Sequence, residues 1–299
     1  MGRWGMCLLD AFRRSARCEL IATFDTNKVI AQRLCTATQT FHQLVEDPHI
    51  DAIAIATPAT THAELASAAL RAGKHVFLEK PMALSLQDAL SLQALAAERA
   101  RCLMIGHIMH YHAGVLALKA HATSGALGKP LLLNAVRSGG QAMASPFDAL
   151  WTLAPHDISV GISLFGRDWN AVHAVQTPDS VSVQLDFANG AAICVELRLE
   201  SAPRCRRLTL VTERGLVCLD ESTSRSTLTL CENGSSRHIP FAMNEPLLAE
   251  IKCFVGAVLD GTPTPTDAAE GVAVVRALSS ASTCLARATG AHQPQADGV

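Results

Sequence analysis

The chain has 299 residues, 49% of them hydrophobic and 17% charged, enough for about two domains with sizeable cores. Twenty-five Lys and Arg against 27 Asp and Glu give a formal net charge of -2, which excludes a sequence-wide basic field for nucleic acid and a long acidic tail. Apolar runs such as residues 51–58 are too short to span a bilayer, and aromatics at 4% argue against stacking platforms for single-stranded nucleic acid. The ten cysteines stand singly with no C-x-x-C, which predicts reduced thiols in a cytoplasmic α/β protein.

The front of the chain, Gly2-Arg3-Trp4-Gly5, continues into a stretch with four arginines by Arg17 and one acidic residue, Asp10. Such a start suits an Arg-rich transit peptide, but it holds a single serine and runs directly into an apolar segment, which favours the beginning of the fold. Residues 8–14 are helical in period, and residues 18–24 predict a strand ending at Asp25. Thr40-x-x-Gln43 is a capping box for a short helix. Residues 51–57 are nearly all apolar and predict a strand buried on both faces of a parallel sheet. Thr61-x-x-Glu64 predicts a capped helix stopped by Gly73, residues 74–80 a strand, residues 85–101 a helix opened by Ser85-x-x-Asp88, and residues 102–106 a further strand. This rhythm implies a parallel sheet with right-handed crossovers.

Beyond Gly106 the rhythm changes. Residues 116–124 read as helix, 130–137 as strand and 157–164 as helix. Strands then dominate: 180–187 and 191–199 around an Asn189-Gly190 hairpin turn, followed by 207–212, 216–220 and 227–231. Two helices close the chain, at about 246–259 and 267–288, the second capped by Asp267-x-x-Glu270. The fold class is therefore α/β, a Rossmann-type parallel sheet followed by an α+β domain with a large, mostly antiparallel open sheet. The domains are placed at 1–108 and 109–299, with the closing helices packing back on the first.

Several constellations can carry chemistry. Gly2-x-x-Gly5 before a helix is either an ordinary helix start or the last two glycines of a dinucleotide turn. Asp25, 20 residues after Gly5 at a strand end, is either a turn or cap residue or the acid that holds the adenine ribose hydroxyls; Thr26 and Asn27 beside it offer no cation to a 2′-phosphate, which favours NAD over NADP. Thr57 and Pro58 end a strand where open α/β sheets bind ligands, and His62 alone reads as a solvated helix-start residue. Glu79-Lys80-Pro81 ends the next strand; its X-Pro bond is a candidate for the cis isomer, and Lys80 is either a surface lysine or an ammonium aimed at a substrate oxygen. His156, after Pro155 and beside Asp157, is either half of a helix-cap pair or a base tuned near neutral pH. Among His107, His110 and His112, the two-residue spacing of the last two suits a strand face lining a cleft. No carboxylate or cysteine set completes a metal site around them, and no Gly-x-Ser-x-Gly nucleophile elbow occurs.

Together, residues 56–62, residues 73–82 with Glu79-Lys80-Pro81, and residues 150–158 with His156 resemble the Gfo/Idh/MocA oxidoreductases over nearly the whole chain. The turn Gly2-Arg3-Trp4-Gly5, with Asp25 and residues 150–158, is most similar to the branch acting on nucleotide-linked sugars. The resemblance implies NAD held by Gly2, Trp4, Gly5, Asp25, Thr57, Pro58, His62, Glu79 and Lys80, with Lys80 and His156 as the catalytic pair. It sets His107, Tyr111, Arg137 and Asp157 on the substrate side, the substrate being a sugar, cyclitol or sugar-nucleotide. It also implies a homo-oligomer, dimer or tetramer, paired through the second-domain sheet, with neither nucleic acid nor membrane as partner. Relative to the family pattern, the first strand and first glycine are absent, Thr152 and Ser159 stand where acids are frequent, and His110 stands where arginine is common. A non-catalytic relative is the alternative reading, and redox-neutral elimination or epimerisation a further one.

Overall fold

The computed structural model describes residues 2–27, 40–138, 145–199 and 204–289. In chain order its elements are α1 (Arg3–Arg13), α2 (Phe41–Glu46), β1 (Ala52–Ile55), α3 (His62–Arg71), β2 (His75–Leu78), α4 (Leu86–Glu98), β3 (Leu103–Ile105), α5 (Ala113–Thr123), β4 (Pro130–Ser138) and α6 (Pro146–Phe165). There follow β5 (Trp169–Gln176), β6 (Ser180–Phe187), β7 (Ala192–Arg198), β8 (Cys205–Thr212), β9 (Gly215–Asp220), β10 (Thr227–Glu232), β11 (Ser235–His238), α7 (Pro246–Asp260) and α8 (Ala268–Thr289). The chain divides into two compact units, Met1–Tyr111 with Asn244–Val275, and His112–Met243 with Arg276–Val299. No helix among the described residues is long and apolar enough to cross a membrane.

The first unit is built on the parallel sheet β1-β2-β3. β2 and β3 are buried from Val76 to Leu78 and from Leu103 to Ile105. β1, an edge strand among the described residues, alternates instead: Ile53 and Ile55 are buried and Ala54 is exposed, so burial on both faces fails there. The predicted strand at 18–24 is also absent, with only Thr23 making an isolated bridge. No described strand runs beside β1 on its free edge. The core is a three-ring cluster in which Phe77 of β2 stands edge-on to Phe12 of α1 (6.1 Å) and to Phe254 of α7 (5.6 Å), surrounded by Leu8, Met104, Ile251 and Val255.

The Arg-rich front is part of this unit. α1 buries Leu8, Leu9 and Ala11, while Arg14 pairs with Glu245 and Arg17 grips both oxygens of Asp260, at the two ends of α7. These exposed ion pairs fix orientation more than they add stability. Helix caps at Thr40, Ser85 and Asp267 form as the sequence predicts. Thr61 does not cap α3: it belongs to a 3-10 turn, Ala59–Thr61, and its hydroxyl lies 2.7 Å from Thr57 Oγ1 and 2.8 Å from the Pro58 carbonyl.

The second unit is an eight-stranded sheet in the order β11-β10-β9-β8-β4-β7-β6-β5, with only β4 and β7 parallel. α6 packs on β4, β6 and β7, and α5 on β8, β9 and β10. β5 and β11 were not predicted. They form the two edges, and fully exposed Ser235–His238 has no apolar alternation to betray it. α6 begins eleven residues before the predicted 157, where Ser145 caps by accepting from the Asp148 N–H and Pro146 occupies the first turn. The helix then continues through Pro155.

Where α6 crosses the sheet, Gly161 permits close approach: a Cβ there would stand 2.6 Å from Ile193 Cδ1 and 2.7 Å from its Cγ1. Ile193 is fully buried, so the whole side chain would have to move. Gly161→Ala is therefore expected to destabilise the protein by about 1–3 kcal/mol in urea unfolding despite alanine's better helix propensity. Adding Ile193→Ala is expected to cost less in that background than alone; simple additivity of the two would contradict this packing.

Candidate cofactor and catalytic site

The chemistry-bearing residues of the first unit collect at the carboxyl ends of its strands. β2 extends one hydrogen bond past its last residue, from the Glu79 N–H to the Ile55 carbonyl, and then turns through a cis Lys80-Pro81 bond. His62, at the start of α3, is buried rather than solvated. Its Nδ1 lies 2.7 Å from the Pro81 carbonyl and its Nε2 3.0 Å from the Thr57 carbonyl, joining the loops that follow β1 and β2. Burial lowers its pKa and Lys80 adds to the effect, so the neutral ring donates to one carbonyl at a time. Thr57 and Pro58 are exposed above it, and Lys80 is half-buried.

Glu79 is 6% exposed. Its carboxylate accepts from the Trp4 indole N–H, from the first turn of α1, and from the Lys80 backbone N–H at 3.3 Å. The chain after β3 makes room for it at Gly106, where a Cβ would stand 3.0 Å from Glu79 Oε1. Burial raises the Glu79 pKa; the Trp4 hydrogen bond and the Lys80 charge work in the opposite direction.

The histidine triplet does not form a strand face. Residues 108–111 make a 3-10 turn, and the three rings part company. His107 Nδ1 lies 2.7 Å from Glu270 Oε2, both buried, and the Tyr111 hydroxyl lies 3.2 Å from Thr266 Oγ1. His110 is buried in the turn, and His112 caps α5 in the second unit, with Nε2 3.3 Å from Glu221.

Two residues here escaped the sequence reading. Glu250 of α7 is 0% exposed, and neither carboxylate oxygen has a hydrogen-bond partner among the described residues. Burial raises its pKa well above the ordinary value, and the Glu79 charge raises it further, so it is held as the neutral acid. Its only trace in the sequence is a Glu on the buried face of a helix. Lys74 is the other: its ammonium donates to the Asp47 and Ile50 carbonyls at 2.6 and 2.7 Å, closing the turn before β1.

Asp25 Oδ1 accepts from the Asn27 N–H at 2.7 Å, the turn role its residue type allows. Gly2 is the exposed N-cap of α1, with Trp4 and Gly5 in its first turn.

In the second unit His156 and Asp157 lie in the middle of α6, so they are not a helix-cap pair. Asp157 receives two hydrogen bonds from Arg137 of β4, at 2.6 and 2.8 Å, and both side chains are buried. Burial opposes the Arg137 charge, but Asp157 outweighs it and raises the pKa. His156 is half-buried, Thr152 exposed one turn earlier, and Ser159 fully buried. Residues 139–144, between β4 and α6, lie outside the described residues.

Residues 1–107 match the GFO_IDH_MocA model, described as an oxidoreductase family with an NAD-binding Rossmann fold. Over this first third of the chain the sequence is thus similar to the Gfo/Idh/MocA oxidoreductases. It is 26% identical over 293 residues to the UDP-N-acetylglucosamine 3-dehydrogenase of Acidithiobacillus ferrooxidans, covering 91% of this chain and 90% of that one. The solved structure of that enzyme superposes with a TM-score of 0.83 at 25% identity, covering 95% of each chain. The oxidoreductase YdgJ of Escherichia coli K12 is 36% identical over 157 residues, 49% of this chain and 45% of YdgJ. An inositol 2-dehydrogenase of Pseudomonas fluorescens is 32% identical over 171 residues, 52% of this chain and 50% of that one. The matched stretches thus span about half the length of these last two relatives.

Glu250 supplies a stability test. Its carboxyl pKa is raised on folding, so its contribution is fully present below the unfolded value and is lost as pH rises toward the folded one. Glu250→Gln, neutral at every pH, is expected to change Tm little in mild acid and to raise it relative to the parent from about pH 5 upward. A Tm difference independent of pH would contradict a neutral buried Glu250.

Proposed function

We propose that the protein is a nicotinamide-dependent oxidoreductase that moves hydride between C4 of the nicotinamide and a hydroxyl- or keto-bearing carbon of a sugar, cyclitol or sugar-nucleotide. The observation that carries this reading is the Glu79-Lys80-Pro81 turn at the carboxyl end of β2, braced by His62 and Glu79 where open α/β sheets take their ligands. The names of the full-length relative and of the inositol enzyme support the substrate class.

The residues present fit a dinucleotide. Among the described residues no side chain caps α1 and a Cβ on Gly2 would meet nothing within 4 Å, which suits the first-turn amides and the positive end of the helix to a pyrophosphate. Asp25 suits the ribose hydroxyls, and Thr26 and Asn27 bring no cation for a 2′-phosphate, which favours NAD over NADP. Thr57 and Pro58 belong to the same cofactor side. When bound, the nicotinamide supplies the hydride acceptor.

Lys80 in this reading polarises the reacting oxygen, and His156, or a water it holds, takes the proton from the substrate hydroxyl. His107, Tyr111, Arg137 and Asp157 belong to the substrate side in the same reading. A second copy is expected to pair through the large sheet, where Leu132, Val136, Val211 and Leu216 alternate with buried residues and stay half-exposed.

Titration calorimetry tests the reading directly. NAD is expected to bind more tightly than NADP, and absence of binding by both would overturn it. Lys80→Ala and His156→Ala are expected to leave NAD affinity within a few-fold while lowering hydride transfer by about 10²–10⁴-fold. Unchanged turnover in either variant would remove that residue from the mechanism.

A further inference from the structure

The cofactor turn and the lysine turn are separated by 75 residues in sequence, yet one carboxylate touches both. Glu79 accepts from the Trp4 indole on α1 and from the backbone N–H of Lys80 itself. Its space is cleared by Gly106, against which any side chain would press the carboxylate. Trp4 is an unusual donor for this purpose, because the residue is 40% exposed while its indole N–H reaches inward to a buried oxygen. An exposed indole on the first turn of α1 moves with that turn, and any ligand seated on Gly2 lies beside it.

We propose that Glu79 is a positioning residue that couples the Gly2–Gly5 turn to the backbone at Lys80, so that occupancy of the turn is felt at the lysine. The proposal rests on the reading of Lys80 given above and assigns Glu79 no contact with substrate.

The surroundings make the link sensitive to charge. Facing Glu79 are the Trp4 indole from α1, Lys80 on its own strand end, and His107 after β3 with Glu270 of α8 behind it. Glu250 faces it from α7, with Tyr111 beyond. Of the two carboxyls on this side, Glu79 has the donors and Glu250 has none among the described residues, so ionised Glu79 is the form that holds both bonds. Because burial raises its pKa, the carboxylate takes up a proton at a higher pH than an exposed glutamate would, and one accepting site is then lost.

The link is read first without any ligand, by ¹⁹F NMR of protein carrying 5-fluorotryptophan. The chain has three tryptophans, and Trp4→Phe identifies the Trp4 signal. That signal is expected to shift as pH falls through the Glu79 titration and to lose the shift in Glu79→Gln. A Trp4 signal indifferent to Glu79→Gln would overturn the link outright. Adding NAD is expected to move the same signal in the parent protein. Failure of NAD to bind at all would instead overturn the proposed function while leaving the ligand-free link standing.

Coupling to chemistry is read as a double-mutant cycle. Trp4→Phe and Glu79→Gln are each expected to lower kcat by about tenfold, and the double variant by about tenfold rather than about a hundredfold. Both are expected to flatten the acid limb of the kcat profile, which a general loss of folding would not do. Gly106→Ala, whose new Cβ would press first on the Glu79 carboxylate, is expected to reproduce the effect by displacing it. Full additivity of Trp4→Phe and Glu79→Gln, or an unchanged acid limb in both, would overturn the coupling.

Discussion

β2 from Val76 onward and the whole of β3 are buried, and this constraint governs the rest of the first unit. Strands that end in dry surroundings leave carbonyls and N–H groups that must find partners. The side chains just beyond the strands supply them: His62 reaches the Thr57 and Pro81 carbonyls, and Glu79 receives the Lys80 N–H. Lys74 does the same before β1, with the Asp47 and Ile50 carbonyls. Satisfying the strand ends therefore also fixes the direction in which Lys80 leaves the sheet.

The carboxyls around this point differ by what donates to them. Glu79 is paired with an indole and a backbone amide, and Glu270 with His107. Glu250 has no described donor, and its charge is suppressed. Glu79 and Glu250 ionised together would be costly, since each needs compensating hydrogen bonds or an opposite charge. Leaving one neutral relieves the repulsion and reserves the negative charge for the residue that contacts the lysine turn. The aromatic cluster of Phe12, Phe77 and Phe254 packs α1, β2 and α7 together and so holds these three carriers of Trp4, Glu79 and Glu250 in register.

What the sequence disclosed follows from how local the signals are. The turn at Glu79-Lys80-Pro81, the capping boxes and the Asn189-Gly190 hairpin are each written in a few adjacent residues, and each was legible. The partners of those residues were not: Trp4 and Glu79 are far apart in sequence, as are His107 and Glu270, and nothing in the spacing announces either pair. His62 was misjudged for the same reason, since its burial depends on a loop 19 residues away. The strand predicted at 18–24 is reduced to a bridge at Thr23, since apolar character alone does not specify a ladder. At α6 the apolar run 157–164 revealed only the second half of the helix, while Ser145-Pro146 with Asp148 marks its start.

That misplaced helix start changes how His156 is understood. As a cap, its direction would be set by a local turn; within α6 it is set by the rotation of the whole helix about its axis. Asp157 supplies the fixed point, because its two hydrogen bonds to buried Arg137 lock that side chain toward β4. Successive residues on a helix are about 100° apart, so a helix pinned at Asp157 carries His156 away from the sheet, on the face shared with Thr152 one turn earlier. The observed burial agrees, with Asp157 and Ser159 inside, Thr152 outside and His156 between. Gly161 one turn further on brings the same helix down onto Ile193 and fixes its height over the sheet. A bidentate pair between two residues that the family resemblance set beside the substrate thus fixes the rotation of α6, and with it the direction of the neighbouring His156.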